Sequence, residues 1–239
     1  MTVTSVIAKN LVVEFPMYWG RSRSLKNTFI RAATGGLLAR DAADRVVIQA
    51  LNDLSFEFKE GDRVGIVGHN GSGKSTLLRT IAGAYEPVSG TMDVTGKLAT
   101  MLSITLGMDT ESTGYENIYL RAIIMGLTRK QIDPLVDEIC EFSELGDYIH
   151  MPMRAYSSGM SMRLAFAIST CVPADIVLMD EWMSVGDADF SRKAQVRLKV
   201  MLDRARILIL ASHDEKLIRQ NCNKIMHLDH GKLVNLESV

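Results

Sequence analysis

The sequence has few of the features that mark secreted, disulfide-bonded or membrane-spanning proteins. Its three cysteines, Cys140, Cys171 and Cys222, lie far apart and predict reduced thiols, not a disulfide framework or a metal site. The N-terminus lacks a basic segment followed by a long apolar stretch, so we expect no secretory signal. The longest apolar runs, such as Ile207 to Ala211, fall far short of the ~20 residues of a membrane span. These absences predict a cytosolic chain that does not itself cross a membrane.

Neither sign of charge dominates the sequence. Its 27 basic and 28 acidic residues leave a formal net charge of -1, so we expect no nucleic-acid partner. The hydrophobic share of 47% against 23% charged residues is typical of a packed globular protein. We expect a single domain over residues 1–239.

Hydrophobic patterning predicts an α/β fold with an inserted helical subdomain. Strand-like segments, two of them continuously apolar as in a largely parallel sheet, lie at 3–15, 46–58, 63–67, 97–102, 176–180, 207–211 and 225–228, and a turn at 229–232 precedes a last strand. Helical periodicity lies at 74–82, 116–125, 129–140 and 158–171. We therefore expect a core of residues 1–103 and 173–239, with a mixed sheet, around a helical subdomain of about 104–172.

A phosphate-binding loop is the first motif that carries chemistry. The pattern GxxxxGK[ST] between a strand and a helix is satisfied by Gly68, His69, Asn70, Gly71, Ser72, Gly73, Lys74 and Ser75. Its glycines let backbone N–H groups approach phosphates, and the following helix, with Thr76 in its first turn, adds a favourable dipole. We expect Lys74 to reach the β- and γ-phosphates and Ser75 to coordinate Mg²⁺. The loop alone does not separate kinases, GTPases and ATPases.

Two carboxylates and a histidine follow the buried strands. Asp180 ends an apolar strand, where an open α/β sheet places its ligands, and is a candidate Mg²⁺ ligand. Glu181 comes next and is a candidate general base for an attacking water. His213 follows the strand 207–211 and is a candidate contact to the γ-phosphate. With the phosphate loop, these residues predict a nucleotide and Mg²⁺ as ligands.

The segment Tyr156-Ser-Ser-Gly-Met160 precedes a helix and matches the LSGGQ signature of ABC ATPases. From about Ile7 to its end, the chain resembles the ATPase subunit of an ABC transporter, a P-loop NTPase. The resemblance implies that two copies dimerise around two ATP molecules. It also implies that Ser157, Ser158 and Gly159 of one copy contact the γ-phosphate bound by the other.

The resemblance assigns roles to further residues, and the sequence departs from the family pattern in the signature and the Q-loop. Asp187, in the segment 185–187, matches the D-loop, His213 matches the switch histidine, and Phe15 or Tyr18 is the candidate adenine-stacking residue. The signature departs from the family pattern at Ser158 and Met160. No glutamine stands at the Q-loop position near 102–106, where Ser103 is the nearest polar candidate.

Three segments point to a subfamily. The signature followed by Arg163-Leu-Ala-Phe-Ala167, the segment Thr113–Asn117 and the segment Asp180–Asp187 resemble ATPases that export O-antigen, capsule or teichoic acid. The resemblance implies an integral-membrane permease as partner and a lipid-linked polysaccharide as cargo. It implies a peripheral location at the cytoplasmic face of the bacterial inner membrane. Some members add a carbohydrate-binding domain; the sequence ends at Val239 after the ATPase core, so we expect none here.

Residues 17–45 form an insertion with six Arg/Lys against two Asp. Two interpretations remain open: an interfacial element that touches permease, anionic lipid or substrate, and a solvated surface segment.

Other functions fit the sequence less well. An ABC importer ATPase would have a Q-loop glutamine and a typical signature. A soluble ABC ATPase acting on nucleic acid or ribosomes would have tandem cassettes, coiled-coil insertions or a strongly basic face. A P-loop kinase would show an acceptor-binding lid.

Overall fold

The computed structural model describes residues 3–17, 38–40, 46–181 and 187–239, with 38–40 as backbone only. The chain forms two compact units. The first comprises Met1–Gly96, Leu178–Glu181 and Arg206–Val239, and the second comprises Lys97–Val177 and Trp182–Ala205. In the described part of the chain, no helix combines the length and the apolar character needed to span a membrane.

The described chain begins with four strands, and most of its helices lie between the sixth and seventh strands. The strands are β1 (Ser5–Pro16), β2 (Leu38–Arg40), β3 (Val46–Lys59), β4 (Arg63–Val67), β5 (Ser89–Thr95), β6 (Leu98–Met101), β7 (Ile176–Asp180), β8 (Ile207–Ala211), β9 (Lys224–Asp229) and β10 (Lys232–Ser238). The α-helices are α1 (Lys74–Ile81), α2 (Gly114–Ile124), α3 (Arg129–Ile132), α4 (Val136–Ser143), α5 (Ser158–Cys171), α6 (Ala188–Arg204) and α7 (Glu215–Asn221). Short 3₁₀ turns lie at Asp133–Leu135, Gly146–His150 and Met153–Ala155.

The first unit is built on two sheets. One has the order β2-β3-β1-β5, in which β1 pairs antiparallel with β3 and β5. In the other, β4 lies between β8 and β9 and is parallel to both, while β9 and β10 form an antiparallel hairpin. All five residues of β8 are buried, as expected of a strand covered on both faces. The expected mixed sheet is therefore present, and its parallel strands end at a common edge.

The second unit is helical and has its own hydrophobic core. Its buried members come from α2 to α5 and the turns between them: Ile118, Ala122, Ile132, Val136, Ile139, Leu145, Ile149, Met153, Leu164, Ala167 and Ile168. Strand β6 and the first two residues of β7 also belong to this unit.

The division of the chain differs from the expected one. Helix α6 belongs with the helical unit and not with the α/β core. The reason is an aromatic cluster: the ring of Phe190 lies 5.4 Å from Phe142 and 6.5 Å from Phe166, centroid to centroid. The guanidinium of Arg197 lies 4.2 Å from the Phe142 centroid. The assignment of the chain as a single domain stays a prediction.

The prediction of one helix over 129–140 is wrong. The segment is α3, a 3₁₀ turn and α4, and Pro134 lies in the turn. Proline has no N–H and its ring clashes with the carbonyl four residues before it, so the regular helix is interrupted there.

Asn117 organises the start of the helical unit. Its side chain is fully buried, and its amide donates to the carbonyls of Asp109, Ser112 and Thr113 at 2.8, 3.3 and 2.9 Å. Its Oδ1 accepts from the backbone N–H of Asp109 at 2.7 Å. Thr113 and Glu116 form a capping box that starts α2. The segment 113–117 is thus the point where the loop before α2 is fixed to the helix.

We expect Asn117→Ala to lower the free energy of unfolding by about 3 kcal/mol, because it leaves several buried backbone groups without partners. Urea denaturation followed by circular dichroism measures the change. Asn235→Ala, at an exposed strand position, is the control and should shift stability by less than about 0.5 kcal/mol. Equal effects of the two substitutions would contradict the role of the buried amide.

Candidate functional site

A cavity of about 290 Å³ lies in the first unit, where β4, β7 and β8 end. Open α/β sheets place ligands at this edge. The residues that line it are Ile48, Ala50, Asn70, Gly71, Gly73, Lys74, Ser75, Thr76, Asp180, Glu181 and His213. The structure thus brings the phosphate loop, the two carboxylates and the histidine to one cavity. The roles assigned to them stay predictions.

The backbone of the phosphate loop is packed too closely for side chains at two glycines. Gly73 has φ +105°, and a Cβ there would lie 2.9 Å from the carbonyl oxygen of Ala50. A Cβ on Gly68, with φ +156°, would lie 2.3 Å from the carbonyl oxygen of Leu228. Only glycine allows this conformation and this approach. The loop is therefore held by β3 on one side and the end of β9 on the other.

Lys74 is the first residue of α1, and its side chain contacts the backbone of the phosphate loop. Its Nζ donates to the carbonyl oxygens of Gly68 and His69 at 2.7 and 3.0 Å. No side chain caps the N-terminus of α1, and its first turn has no acidic residue. The free N–H groups of this turn and the ammonium group together favour an anion such as a phosphate.

Glu181 is held by the strand beside it. One carboxylate oxygen accepts from the hydroxyl of Ser212, and the other lies 2.9 Å from Nδ1 of His213. The Glu181 backbone N–H donates to the carbonyl of Ala211 at 2.8 Å. Glu181 has φ +75°, a backbone conformation that costs free energy for a residue other than glycine. Such backbone strain is common at functional sites. The carboxylate is therefore fixed beside Asp180, which lines the same cavity.

A second concave surface lies wholly within the helical unit. It is lined by Ser157, Ser158, Gly159, Met160, Met162, Arg163 and Asp187. Ser157 is the N-cap of α5, where its hydroxyl accepts from the N–H of Met160 at 3.2 Å. A Cβ on Gly159 would meet only the Ser157 hydroxyl, at 3.8 Å, so the surface is open at this point. An exposed helix N-terminus with small residues can receive an anion.

Asp187 has a structural role of its own. Its Oδ1 caps α6 by accepting from the N–H groups of Asp189 and Phe190, and its Oδ2 pairs with Arg163. The hydrogen bond from Phe190, then the charge of Arg163, lowers the pKa of the Asp187 carboxyl below its usual value. The carboxylate thus links the start of α6 to α5.

Several predicted residues are not brought to the first cavity or lie outside the described residues. Phe15 packs edge-to-face against Tyr85, with the ring centroids 5.0 Å apart. It is not among the residues that line the cavity. Ser103 is exposed in the helical unit, where its carbonyl accepts from Leu106 N–H. Tyr18, residues 185–186 and most of the 17–45 insertion lie outside the described residues.

Sequence reasoning missed two residues that line the first cavity and one that holds a lining residue in place. Ser212, almost fully buried, holds Glu181, and Ile48 and Ala50 of β3 form part of the wall. Phe15 pairs with Ile48 across the β1–β3 ladder, whose register shifts three times. A register with bulges does not follow from alternation of residue types alone. The hydroxyl of Ser212, directly before His213 in the sequence, was the available signal for the contact with Glu181.

A loop of this geometry between a buried parallel strand and a helix, with an acidic strand end beside it, defines a P-loop nucleotide-binding protein. The family model of the ABC transporter matches residues 51–184. The O-antigen export system ATP-binding protein RfbE of Yersinia enterocolitica is 44% identical to the chain over 96% of both proteins. The chain belongs to the ABC transporter family.

Other relatives are longer than the chain. The O-antigen export system ATP-binding protein RfbB of Myxococcus xanthus is 37% identical over 96% of the chain, which spans 52% of that relative. The teichoic acids export ATP-binding protein TagH of Bacillus anthracis is 40% identical over 77% of the chain and is matched over 33% of its own length. The dimeric ATP-binding cassette MJ0796, solved with ADP and Pi, has a TM-score of 0.69 at 20% identity, with 98% of both chains covered. This likeness shows the ABC ATPase fold.

We expect Glu181→Gln to reduce the rate of ATP hydrolysis by about 10²-fold or more, because an amide cannot take a proton from water. ATP binding should be retained, since the amide keeps the size of the side chain. Steady-state phosphate release and equilibrium binding of a fluorescent ATP analogue measure the two quantities.

Glu141→Gln is the matched control for this substitution, since Glu141 is an exposed carboxylate of the helical unit. The control should hydrolyse ATP at the wild-type rate. A purified Glu181→Gln protein with a normal rate would refute the assignment of the base.

Proposed function

We propose that the chain is the ATP-hydrolysing subunit of an ABC exporter and drives export of a lipid-linked surface polysaccharide through a separate membrane permease. The observation that carries the proposal is the convergence of Lys74, Ser75, Asp180, Glu181 and His213 on one cavity. The alternative is an ABC ATPase for another cargo.

In this proposal each residue of the cavity acts on the triphosphate. Lys74 and the N–H groups of the loop bind the β- and γ-phosphates, with Lys74 leaving the two carbonyls it now contacts. Glu181 orients and deprotonates the attacking water, and His213 senses the γ-phosphate. The hydroxyl of Ser75 and the carboxylate of Asp180 are the oxygen ligands that Mg²⁺ prefers, and both line the cavity. Mg²⁺, when bound, neutralises phosphate charge.

The surface at Ser157 to Gly159 acts on the nucleotide of another copy. A homodimer would place this helix N-terminus on the γ-phosphate, so that two ATP molecules hold two chains together. The support is the resemblance of the signature, the open surface at Gly159 and the dimeric structure of the cassette MJ0796, which has the same fold. Hydrolysis would remove the shared phosphate and release the dimer.

Exposed apolar side chains on the helical unit support the proposal that another protein binds there. Leu106, Ile123 and Ile124 are 74%, 54% and 66% exposed. Contiguous apolar surface of this kind is typical of protein contacts. We assign it to the permease, which would bring the chain to the cytoplasmic face of the membrane as a peripheral subunit.

The names of the relatives support an exported polymer as the cargo. RfbE and RfbB are O-antigen export proteins and TagH is a teichoic acids export protein. The segment Thr113–Asn117, which the resemblance links to such exporters, builds the capping box and the buried amide network of the helical unit. A lipid-linked surface polysaccharide is the cargo class that the resemblance implies for this chain.

The dimer proposal predicts that two inactive variants restore each other. Lys74→Ala removes the phosphate ligand of a chain, and Gly159→Asp places a carboxylate where the partner's phosphate would lie. Gly159→Asp should fold, because the position is open and an acidic residue in the first turn favours a helix. We expect each variant alone to be inactive, and an equimolar mixture to regain roughly a quarter of the wild-type ATPase rate, from one intact site in each mixed dimer.

The control for this experiment is a chain that carries both substitutions, mixed with the Lys74→Ala variant. No pairing of these chains contains an intact site, so this mixture should stay inactive. The mixture of Lys74→Ala and Gly159→Asp should be tested with variants that are shown to fold and to form dimers with ATP. If this mixture has no activity, a site shared between copies is contradicted.

The export proposal predicts loss of surface polysaccharide in native-host cells that carry Glu181→Gln in place of the wild-type subunit. Lipid-linked polymer should accumulate inside the cells, because synthesis continues without transport. Immunoblots of intact cells and of extracted glycolipid measure both pools. Unchanged surface glycan, with the variant confirmed inactive as an ATPase, would mean that the cargo is another one.

A further inference from the structure

Two histidines and an aspartate meet at the outer side of the phosphate loop. The side chains of His69, Asp229 and His230 each offer a ligand atom, and these atoms lie within 4.8 Å of one another. His69 belongs to the loop, whereas Asp229 and His230 form the turn between β9 and β10. All three are at least partly accessible to solvent. The described part of the chain has one such group of three or more potential metal ligands.

Both ring nitrogens of His69 face oxygen acceptors. Its Nδ1 lies 2.7 Å from the carbonyl oxygen of Asn70, and its Nε2 lies 3.0 Å from Oδ1 of Asp229. A neutral imidazole has one donor and one acceptor nitrogen, so in either tautomer one nitrogen presents a lone pair to an oxygen. A metal ion between Nε2 and the carboxylate would bind to both atoms, with Nδ1 donating to the carbonyl.

His230 has ring nitrogens without a hydrogen bond. Its Nε2 lies 3.8 Å from Oδ1 of Asp229, beyond hydrogen-bond distance. Its Nδ1 is buried and has no partner among the described residues. The ring lies 4.6 Å from that of His69, centroid to centroid. Nε2, and not the buried Nδ1, is the ring nitrogen near the carboxylate, so Nε2 is the atom that would bind a cation shared with Asp229.

We propose that His69, Asp229 and His230 form a binding site for a borderline-soft divalent cation of the Zn²⁺ type, separate from the Mg²⁺ of the nucleotide. Two imidazole nitrogens and one carboxylate are a common ligand set of zinc sites with an open position. Ligand atoms on a tetrahedral zinc lie roughly 3.3 Å apart, at zinc–ligand distances of about 2.0 Å. The distances of 3.0 and 3.8 Å to Asp229 bracket this value. The cation would lie between Nε2 of His69 and Oδ1 of Asp229.

The bound ion would join two segments that already touch. Gly231, the residue after His230, donates its N–H to the carbonyl of Ser72 in the loop at 2.9 Å. The carbonyl of Gly231 accepts from Asn52 of β3 at 2.8 Å. A cation at the three side chains adds a link between loop and hairpin on the same side. It therefore stabilises the loop conformation of the nucleotide-free chain.

The cysteines do not offer a better site for a soft cation. They are far apart in sequence, and burial raises the pKa of Cys171 to about 11 and that of Cys222 to about 12. A thiol must lose its proton to bind zinc, so these values disfavour it as a ligand. The imidazole side chains of the cluster are partly exposed to solvent.

The test is titration of the untagged, nucleotide-free full chain with Zn²⁺, in competition with a fluorescent zinc indicator. We expect one Zn²⁺ per chain, bound in the micromolar range or tighter. His69→Gln and His230→Asn should each weaken binding by about tenfold or more. Asparagine suits position 230, because the residue has φ +45° and asparagine tolerates this conformation. His227→Gln is the matched control, since His227 lies on β9 near Glu237, at 3.6 Å, without a third ligand.

The amount of Zn²⁺ bound by the wild type and by each variant decides whether the site exists. One equivalent of Zn²⁺, lost in both cluster variants and kept in the His227→Gln control, supports the site. No binding at 100-fold excess Zn²⁺ over protein overturns it. Equal binding by wild type and both cluster variants also overturns it, because the ion is then held elsewhere. Far-ultraviolet circular dichroism and melting curves of each variant establish that the fold is kept.

Discussion

The close approach of three backbone segments at the phosphate loop is the constraint on which the first unit depends. A Cβ at Gly73 or at Gly231 would meet the same carbonyl, that of Ala50, at 2.9 and 2.5 Å. The loop, β3 and the β9–β10 turn therefore meet at one point, where only glycines fit. Within the loop, the Ser72 N–H donates to the carbonyl of His69 at 3.1 Å. This packing also places His69 beside the turn at Asp229.

The contiguous parts of the site could be predicted from the sequence, and the parts made by packing could not. The loop from Gly68 to Ser75 carries its own glycines and lysine, so its geometry follows from local residue types. Helix α5 was likewise predicted to the residue, because its apolar residues recur at helical spacing. By contrast, the contact of Ser212 with Glu181 depends on two strands that are neighbours only in the folded sheet. The membership of α6 in the helical unit depends on Phe190 and its aromatic neighbours.

Several residues that a motif would assign to function also hold the fold together. Asp187 matches a functional segment, yet it caps α6 and pairs with Arg163. Ser157 matches the signature, yet it caps α5. A helix N-cap and an anion site need the same exposed N–H groups, so one small polar residue can serve both. Substitutions at these positions therefore need a stability measurement beside the functional one.

The first cavity combines side chains of opposite charge. Lys74 supplies one positive charge, whereas Asp180 and Glu181 supply two negative charges. The N–H groups of the loop and of α1 offset part of the repulsion that the carboxylates exert on a phosphate, and a divalent cation would offset more. In the proposed dimer, the N-terminus of α5 in the other copy, which has no acidic residue in its first turn, would supply further donors to the γ-phosphate. Binding of the nucleotide and association of the chains would then be one equilibrium, and loss of the γ-phosphate would reverse both.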